Sequence, residues 1–131
     1  MTYLLDTNIC VYAIKREPEV LRRLQLRSPD DFGVSAVTAA ELWFGAAKSS
    51  RPQSTCASVD AFLKPFEVLP FAGEAAEEYA EIRLQLEKAG KPIGERDLLI
   101  AATAKSRRLT VVTRNVREFS RVANLKVEDW L

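Results

Sequence analysis

Four short apolar runs, Tyr3–Leu5, Gly33–Val37, Phe66–Phe71 and Leu109–Thr113, recur between longer segments with helical spacing, and this alternation narrows the fold more than any other feature of the sequence. Each run carries β-branched or aromatic residues and is followed by polar or small ones, as strands are. The runs are apolar throughout rather than alternating, so the strands they predict are covered on both faces, as in a parallel sheet flanked by helices. The intervening segments predict helices over Thr7–Lys15, Pro18–Arg27, Thr38–Lys48, Pro52–Leu63, Glu74–Ala89 and Arg96–Arg107. In the clearest of them, Tyr79, Ile82, Leu86 and Ala89 form one apolar stripe that stops before Gly90. With a short edge strand over Leu125–Val127, the expectation is an α/β chain built as a three-layer α/β/α sandwich with a mainly parallel central sheet. No repeat, low-complexity tract or Gly/Ser linker interrupts it. Ser49–Ser54 reads as a polar turn, so residues 1–131 form a single domain.

Composition then removes whole classes of chemistry. The chain has no histidine, which excludes Ser-His-Asp triads, histidine general bases and His-ligated zinc. Its two cysteines, Cys10 and Cys56, lie far apart with no C-x-x-C spacing, which argues against a disulfide framework or zinc knuckle and fits a reducing cytoplasm. Neither G-x-G-x-x-G nor G-x-x-x-x-G-K-[ST] occurs, so the dinucleotide fingerprint and the P-loop are absent as motifs. The start Met1-Thr2-Tyr3-Leu4-Leu5-Asp6 is unlike a signal peptide, and no apolar stretch has the length of a membrane helix. Nineteen Lys and Arg against 18 Asp and Glu leave a net charge of +1, so attraction to a polyanion has to come from a local patch.

Proton and metal chemistry therefore falls to carboxylates, and three of them sit where open α/β sheets build ligand sites. Asp6 follows the first apolar run directly, which places it at the carboxyl edge of a strand and the start of a helix. Glu41 comes one helical turn after the second run, in Val37-Thr38-Ala39-Ala40-Glu41-Leu42, among apolar neighbours. Asp97 opens the apolar segment Asp97-Leu98-Leu99-Ile100-Ala101-Ala102 at the entrance to the core. Each acid has a simple structural role open to it. Asp6 and Asp97 suit helix N-caps, and Thr38-x-x-Glu41 matches a capping box. The other reading is convergence: acids that follow successive strands meet in one crevice, where two carboxylates about 5 Å apart at an effective dielectric of about 20 repel by roughly 3 kcal/mol. Such a group calls for a cation, and oxygen ligands alone select Mg²⁺ or Mn²⁺ rather than zinc.

The fourth run ends in Val112-Thr113-Arg114-Asn115-Val116-Arg117-Glu118-Phe119. Thr113 and Asn115 suit holding metal-bound water or orienting a carboxylate, and Glu118 offers a fourth negative group; an Asx turn capping a short helix accounts for the same residues. Among many basic residues, Arg114 and Arg117 flank this edge and are the candidate phosphate contacts. Arg96, adjacent to Asp97, suits an ion pair that quiets the pocket. Trp43, Phe44, Val11, Tyr12 and Ile14 read either as core or as an apolar surface that pairs subunits and accepts a partner helix.

Four segments taken in order resemble the PIN-domain ribonucleases, specifically the VapC toxins of bacterial toxin–antitoxin pairs. They are Tyr3-Leu4-Leu5-Asp6-Thr7-Asn8-Ile9-Cys10, Ser35-Ala36-Val37-Thr38-Ala39-Ala40-Glu41-Leu42, Ile93-Gly94-Glu95-Arg96-Asp97-Leu98-Leu99-Ile100-Ala101-Ala102 and Val112-Thr113-Arg114-Asn115-Val116-Arg117-Glu118-Phe119, with the tail Val127-Glu128-Asp129-Trp130 fitting as well. The resemblance runs nearly end to end. It implies an acidic pocket of Asp6, Glu41 and Asp97, with Asp6 and Asp97 as principal Mg²⁺ ligands and Mn²⁺ as a substitute. It also implies hydrolysis of RNA phosphodiesters, transfer RNA among them, by a metal-activated water, with inhibition of translation as the result. A homodimer and a VapB-like antitoxin are the implied partners, and the cytoplasm the implied compartment. Many PIN domains carry an acid where this chain has Asn115, so Asn115, Glu118 and Thr113 are the accessory or second-metal positions. The competing reading from a different class is a non-catalytic PIN-like module that binds RNA or protein, its acids serving as helix caps.

Overall fold

The computed structural model describes residues 1–131. Strand β1 (Tyr3–Leu5) leads into helices α1 (Thr7–Ile14) and α2 (Pro18–Gln25), and a 3₁₀ turn at Pro29–Asp31 into β2 (Phe32–Ser35). Helices α3 (Ala36–Ala47) and α4 (Pro52–Leu63) precede β3 (Glu67–Leu69); α5 (Glu74–Lys88) and α6 (Glu95–Ser106) precede β4 (Thr110–Val112). A single turn, α7 (Val116–Phe119), and the two-residue β5 (Val127–Glu128) close the chain.

The strands form one sheet in the order β3-β2-β1-β4-β5, and every pairing is parallel. Apolar strands of this kind leave no face for water, and the burial follows. In β1, Leu4 and Leu5 are both fully buried yet belong to different cores, because successive strand residues point to opposite faces. Leu5 packs with Ile9, Val20, Val34, Leu42 and Val59 under α1 to α4. Leu4 packs with Ile82, Ile100, Val111 and Phe119 under α5, α6 and α7. Val111 and Val112 divide in the same way. This is the three-layer sandwich the sequence predicts. Truncating Leu4 or Leu5 to Ala would cost about 2–5 kcal/mol.

The differences lie at element ends, and the largest has a clear cause. Strand β2 stops at Ser35, short of the predicted Val37, because the Ser35 hydroxyl accepts a hydrogen bond from the Thr38 N–H at 3.0 Å and starts α3 two residues early. Strands β3 and β4 are shorter than their apolar runs. The last strand begins where the prediction ended, at Val127. Helix α4 spans Pro52–Leu63 as predicted and so takes in the end of the Ser49–Ser54 stretch also read as a turn; Pro52, with no N–H, is well placed in its first position.

The strand order reverses beside β1, which has β2 on one side and β4 on the other. In register, Leu5 stands level with Val34 and Val112, so the next residues of these strands emerge together at the carboxyl edge. Ligands of open parallel sheets bind at such a reversal.

Candidate active site

Asp6 is the first residue past β1 and the N-cap of α1. One carboxylate oxygen accepts from the Thr7 N–H at 2.8 Å and the other from the Thr113 hydroxyl at 2.7 Å. Thr113 follows β4, is fully buried, and accepts the Asn115 N–H at 2.8 Å with the same oxygen. A hydroxyl has one proton, so donation to Asp6 and acceptance from the backbone fix its rotor. Only 4% of Asp6 is exposed. Burial pushes its carboxyl above the usual range, the two hydrogen bonds oppose that, and the charge of Glu41 adds to it.

Glu41 is not a cap. Because α3 starts from Ser35, Thr38 lies inside the helix and Glu41 falls in its second turn, beyond reach of the first N–H groups, which overturns the capping-box reading. The Glu41 carboxylate instead accepts from the Thr7 hydroxyl at 2.7 Å and meets the Arg96 guanidinium at 3.2 Å. Thr7 Oγ1 also lies 3.1 Å from Thr38 Oγ1, so it ties α1 to α3 at the crevice wall.

Nor does Asp97 cap its helix. Gly94 is the N-cap of α6, and Asp97 is the third helical residue. Its Oδ2 accepts from the Asn115 amide at 2.7 Å. The same amide reaches Glu118 Oε2 at 2.6 Å, while Glu118 Oε1 accepts the Gly94 N–H at 2.9 Å. Burial, then contact with Glu118 and the charges of Asp6 and Glu118, push the Asp97 carboxyl up to about 7. Glu118 moves the other way, because hydrogen bonds from Asp97, Asn115 and Gly94 favour its anion. The two carboxyls are thus pushed in opposite directions, Asp97 up and Glu118 down. Asn115 is the N-cap of α7 by position, yet its side chain makes no capping bond and points at the two acids, so the Asx-turn reading fails.

Around the crevice, Asp6 feels the charge of Glu41, and Asp97 that of Asp6. The contacts are pairwise: no three acidic side chains stand together closely enough to grip one ion. The chemistry of the donors nevertheless fits a hard cation. They are all oxygens, two of them belong to carboxyls whose anions are disfavoured, and the nearby Cys10 thiol is buried with its pKa pushed up, so it is no ligand.

The two basic candidates part company. Arg114 is drawn to the tail, where its guanidinium meets Asp129 at 3.1 Å, whereas Arg117 is exposed and takes no ion-pair partner. Arg96 does form a quieting ion pair, with Glu41 rather than with its neighbour Asp97. The core reading of these large apolar residues fails for four of the five: Trp43, Phe44, Val11 and Tyr12 are exposed, while Ile14 packs against the core. Sequence reasoning missed Thr7 as the clamp on Glu41 and the Gly94 N–H as the anchor of Glu118. Thr7 stands beside Asp6, where it could have been found; the Gly94 contact spans 24 residues and leaves no local trace.

A five-stranded parallel sheet whose order reverses at an acid-lined crevice defines the class of PIN domains, and the PIN domain model matches residues 3–125. The chain belongs to that family and, within it, to the VapC ribonucleases. It is 42% identical over 132 residues to ribonuclease VapC2 of Haemophilus influenzae, with 100% of this chain and 99% of that protein covered. It is 39% identical over 130 residues to the tRNA(fMet)-specific endonuclease VapC of Shigella flexneri, covering 99% and 98%. Among solved structures, DNA-bound VapBC from Salmonella typhimurium superposes with a TM-score of 0.95 at 39% identity, over 100% of this chain and 99% of the other. PIN-domain ribonucleases are metal-dependent as a class. No helix is long and apolar enough to cross a membrane.

Proposed function

We propose that this chain is the endoribonuclease toxin of a VapBC-type pair, that it hydrolyses transfer RNA with Mg²⁺, and that Mn²⁺ substitutes. Residues 1–131 act as one nuclease domain, in the cytoplasm, as a homodimer restrained by a VapB-like antitoxin. The observation that carries the reading is the pair of acids, Asp6 and Asp97, held above the ordinary carboxylate range at the carboxyl edge of the sheet. A fold keeps such costly groups where a ligand repays them. The tRNA substrate rests on relatives such as that of Shigella flexneri, and the antitoxin on complexes such as that of Salmonella typhimurium.

In this reading Asp6 and Asp97 would hold the cation, with Thr113 keeping Asp6 in one rotamer through its 2.7 Å hydrogen bond. Bound there, Mg²⁺ would supply Lewis-acid polarisation of a phosphoryl oxygen and lower the pKa of water beside it. Glu118 would stay anchored on the Gly94 N–H at 2.9 Å while Asp97 turned to the ion. Asn115, with an amide in place of a carboxylate, brings hydrogen bonds and no charge. Any second ion therefore depends on Glu118. Glu41, steadied by Thr7 and Arg96, orients the attacking water. Arg117, exposed and unpaired, contacts phosphate.

The competing caps-only reading survives at one acid of the three: Asp6 caps a helix, Glu41 and Asp97 do not. The deciding experiment incubates the purified protein with a panel of RNAs that includes initiator tRNA. Cleavage with Mg²⁺ that stops with EDTA and is lost in Asp97→Asn is expected. Metal-free cleavage, or full activity of the variant, defeats the proposal.

A further inference from the structure

The crevice does not end at Glu41. Along α3, Glu41, Phe44, Gly45 and Lys48 occupy one stripe at i, i+3, i+4 and i+7, a run of roughly 10 Å. Together with Arg96 from α6 they line an open groove of about 600 Å³. Its floor stays low because Ala40 and Gly45 are small; a Cβ added at Gly45 would meet nothing within 4 Å. Phe44 is 64% exposed, too much for a core residue, and the Lys48 ammonium lies 5.1 Å from its ring centroid. Arg96 spends one N–H on Glu41 at 3.2 Å, and no other partner takes its remaining four.

We infer that this groove is a nucleotide subsite, in which a base of single-stranded RNA next to the cut stacks on Phe44 while its phosphate lies between Lys48 and Arg96. The inference rests on the ribonuclease reading above and adds where the substrate strand runs. The charge balance favours RNA: two cations face one carboxylate, in a molecule whose net charge of +1 offers little attraction elsewhere. The composition favours it as well. An exposed aromatic face flanked by cations is what a sequence-tolerant nucleic-acid groove is made of. A partner helix would seek a broad aliphatic surface, and here the aliphatic lining is Val37 and Ala40. Arg96 keeps its single bond to Glu41 and turns its remaining N–H groups to the incoming phosphate, two of whose oxygens a guanidinium can engage at once.

The test is anisotropy of a fluorescein-labelled single-stranded RNA with the full-length protein in EDTA, where no cleavage occurs, over a range of salt concentrations. Phe44→Ala is expected to weaken binding about tenfold and Phe44→Trp to restore it. Lys48→Gln and Arg96→Gln are each expected to flatten the slope of log affinity against log salt by about 0.7. Gly45→Leu, which fills the groove without touching a charge, is expected to weaken binding as Phe44→Ala does. Melting curves on every variant confirm the fold, since the altered side chains are exposed or face open space. The subsite is overturned if Phe44→Ala and Gly45→Leu bind RNA like the parent, including the case in which they lose a protein partner or dissociate into monomers instead. Failure of the ribonuclease reading looks different: the parent protein then cuts no RNA with Mg²⁺, whatever Phe44 does to binding.

Discussion

Aspartates at opposite edges of the same sheet have opposite fates. At the amino edge, where Tyr3 and Phe32 stack at 5.6 Å and Trp130 packs edge-on at 6.0 Å, Asp31 accepts from the Thr2 hydroxyl at 2.6 Å and from Arg27 at 2.8 Å. Those two partners hold its carboxyl below the usual range. At the carboxyl edge, Asp6 is buried beside another acid's charge and Asp97 is partly buried against the charges of Asp6 and Glu118, and both carboxyls rise. Residue type is the same; desolvation and neighbouring charge decide the sign. One end of the sheet uses an acid to tie the fold together. The other keeps acids in a state that folding alone disfavours and that a cation would relieve, as sites that trade stability for activity do.

The contrast can be broken most directly by Asp97→Asn. We expect RNA cleavage to fall by about 10³-fold or more, on the order of 4 kcal/mol of lost transition-state stabilisation, read from initial rates with Mg²⁺. An equal loss in Asp31→Asn would erase the distinction between the two edges. Next in size is Thr113→Val, which removes the donor that fixes Asp6. Metal affinity should drop about 10- to 100-fold by calorimetric titration. The buried carboxylate oxygen left without a partner should cost about 1–3 kcal/mol in denaturant unfolding.

A pH series sharpens the comparison further. Folded Asp97 binds its proton more tightly than the unfolded chain does, so its contribution to the stability of the metal-free protein is fully present below the ordinary carboxylate range and is lost as pH rises through about 7. The melting temperature in EDTA should therefore decline between pH 5 and pH 8, and Asp97→Asn should flatten the decline. Mg²⁺ should raise the melting temperature more at pH 8 than at pH 5.5, because the ion competes with that proton. A curve that rises over this window would contradict the account. The smallest effect belongs to the other edge: Asp31→Asn should lower the melting temperature by about 2 °C or less and leave cleavage unchanged, since exposed ion pairs contribute little.

Much of this contrast is legible in the chain, and the part that is not has a definite cause. The strands and helices follow from runs such as Thr110-Val111-Val112 and the stripe through Ile82 and Leu86, where pattern and burial agree. Asp6, Glu41 and Asp97 stand out because an acid at the end of an apolar run needs an explanation. The local alternatives failed for two of them once α3 proved to start at Ser35 and α6 at Gly94, a shift of only a few residues that moves a carboxylate out of capping range. The large apolar residues of α3 divided by helical face, which a single sequence fixes poorly: Leu42 is core, while Trp43 and Phe44 face solvent.

What the sequence determined by itself is the layered parallel architecture and a carboxylate chemistry without histidine, because apolar periodicity and side-chain inventory are properties of the chain alone. The tertiary structure decided which carboxyls are pushed up and which down, that Thr113 and Asn115 act as donors, and that Glu118 anchors on Gly94. Those outcomes depend on distances of under 3 Å between atoms 18 to 107 residues apart, set where β1, β4 and α6 converge. Electrostatic energy varies inversely with such distances and with the local dielectric, and neither exists until the sheet has formed.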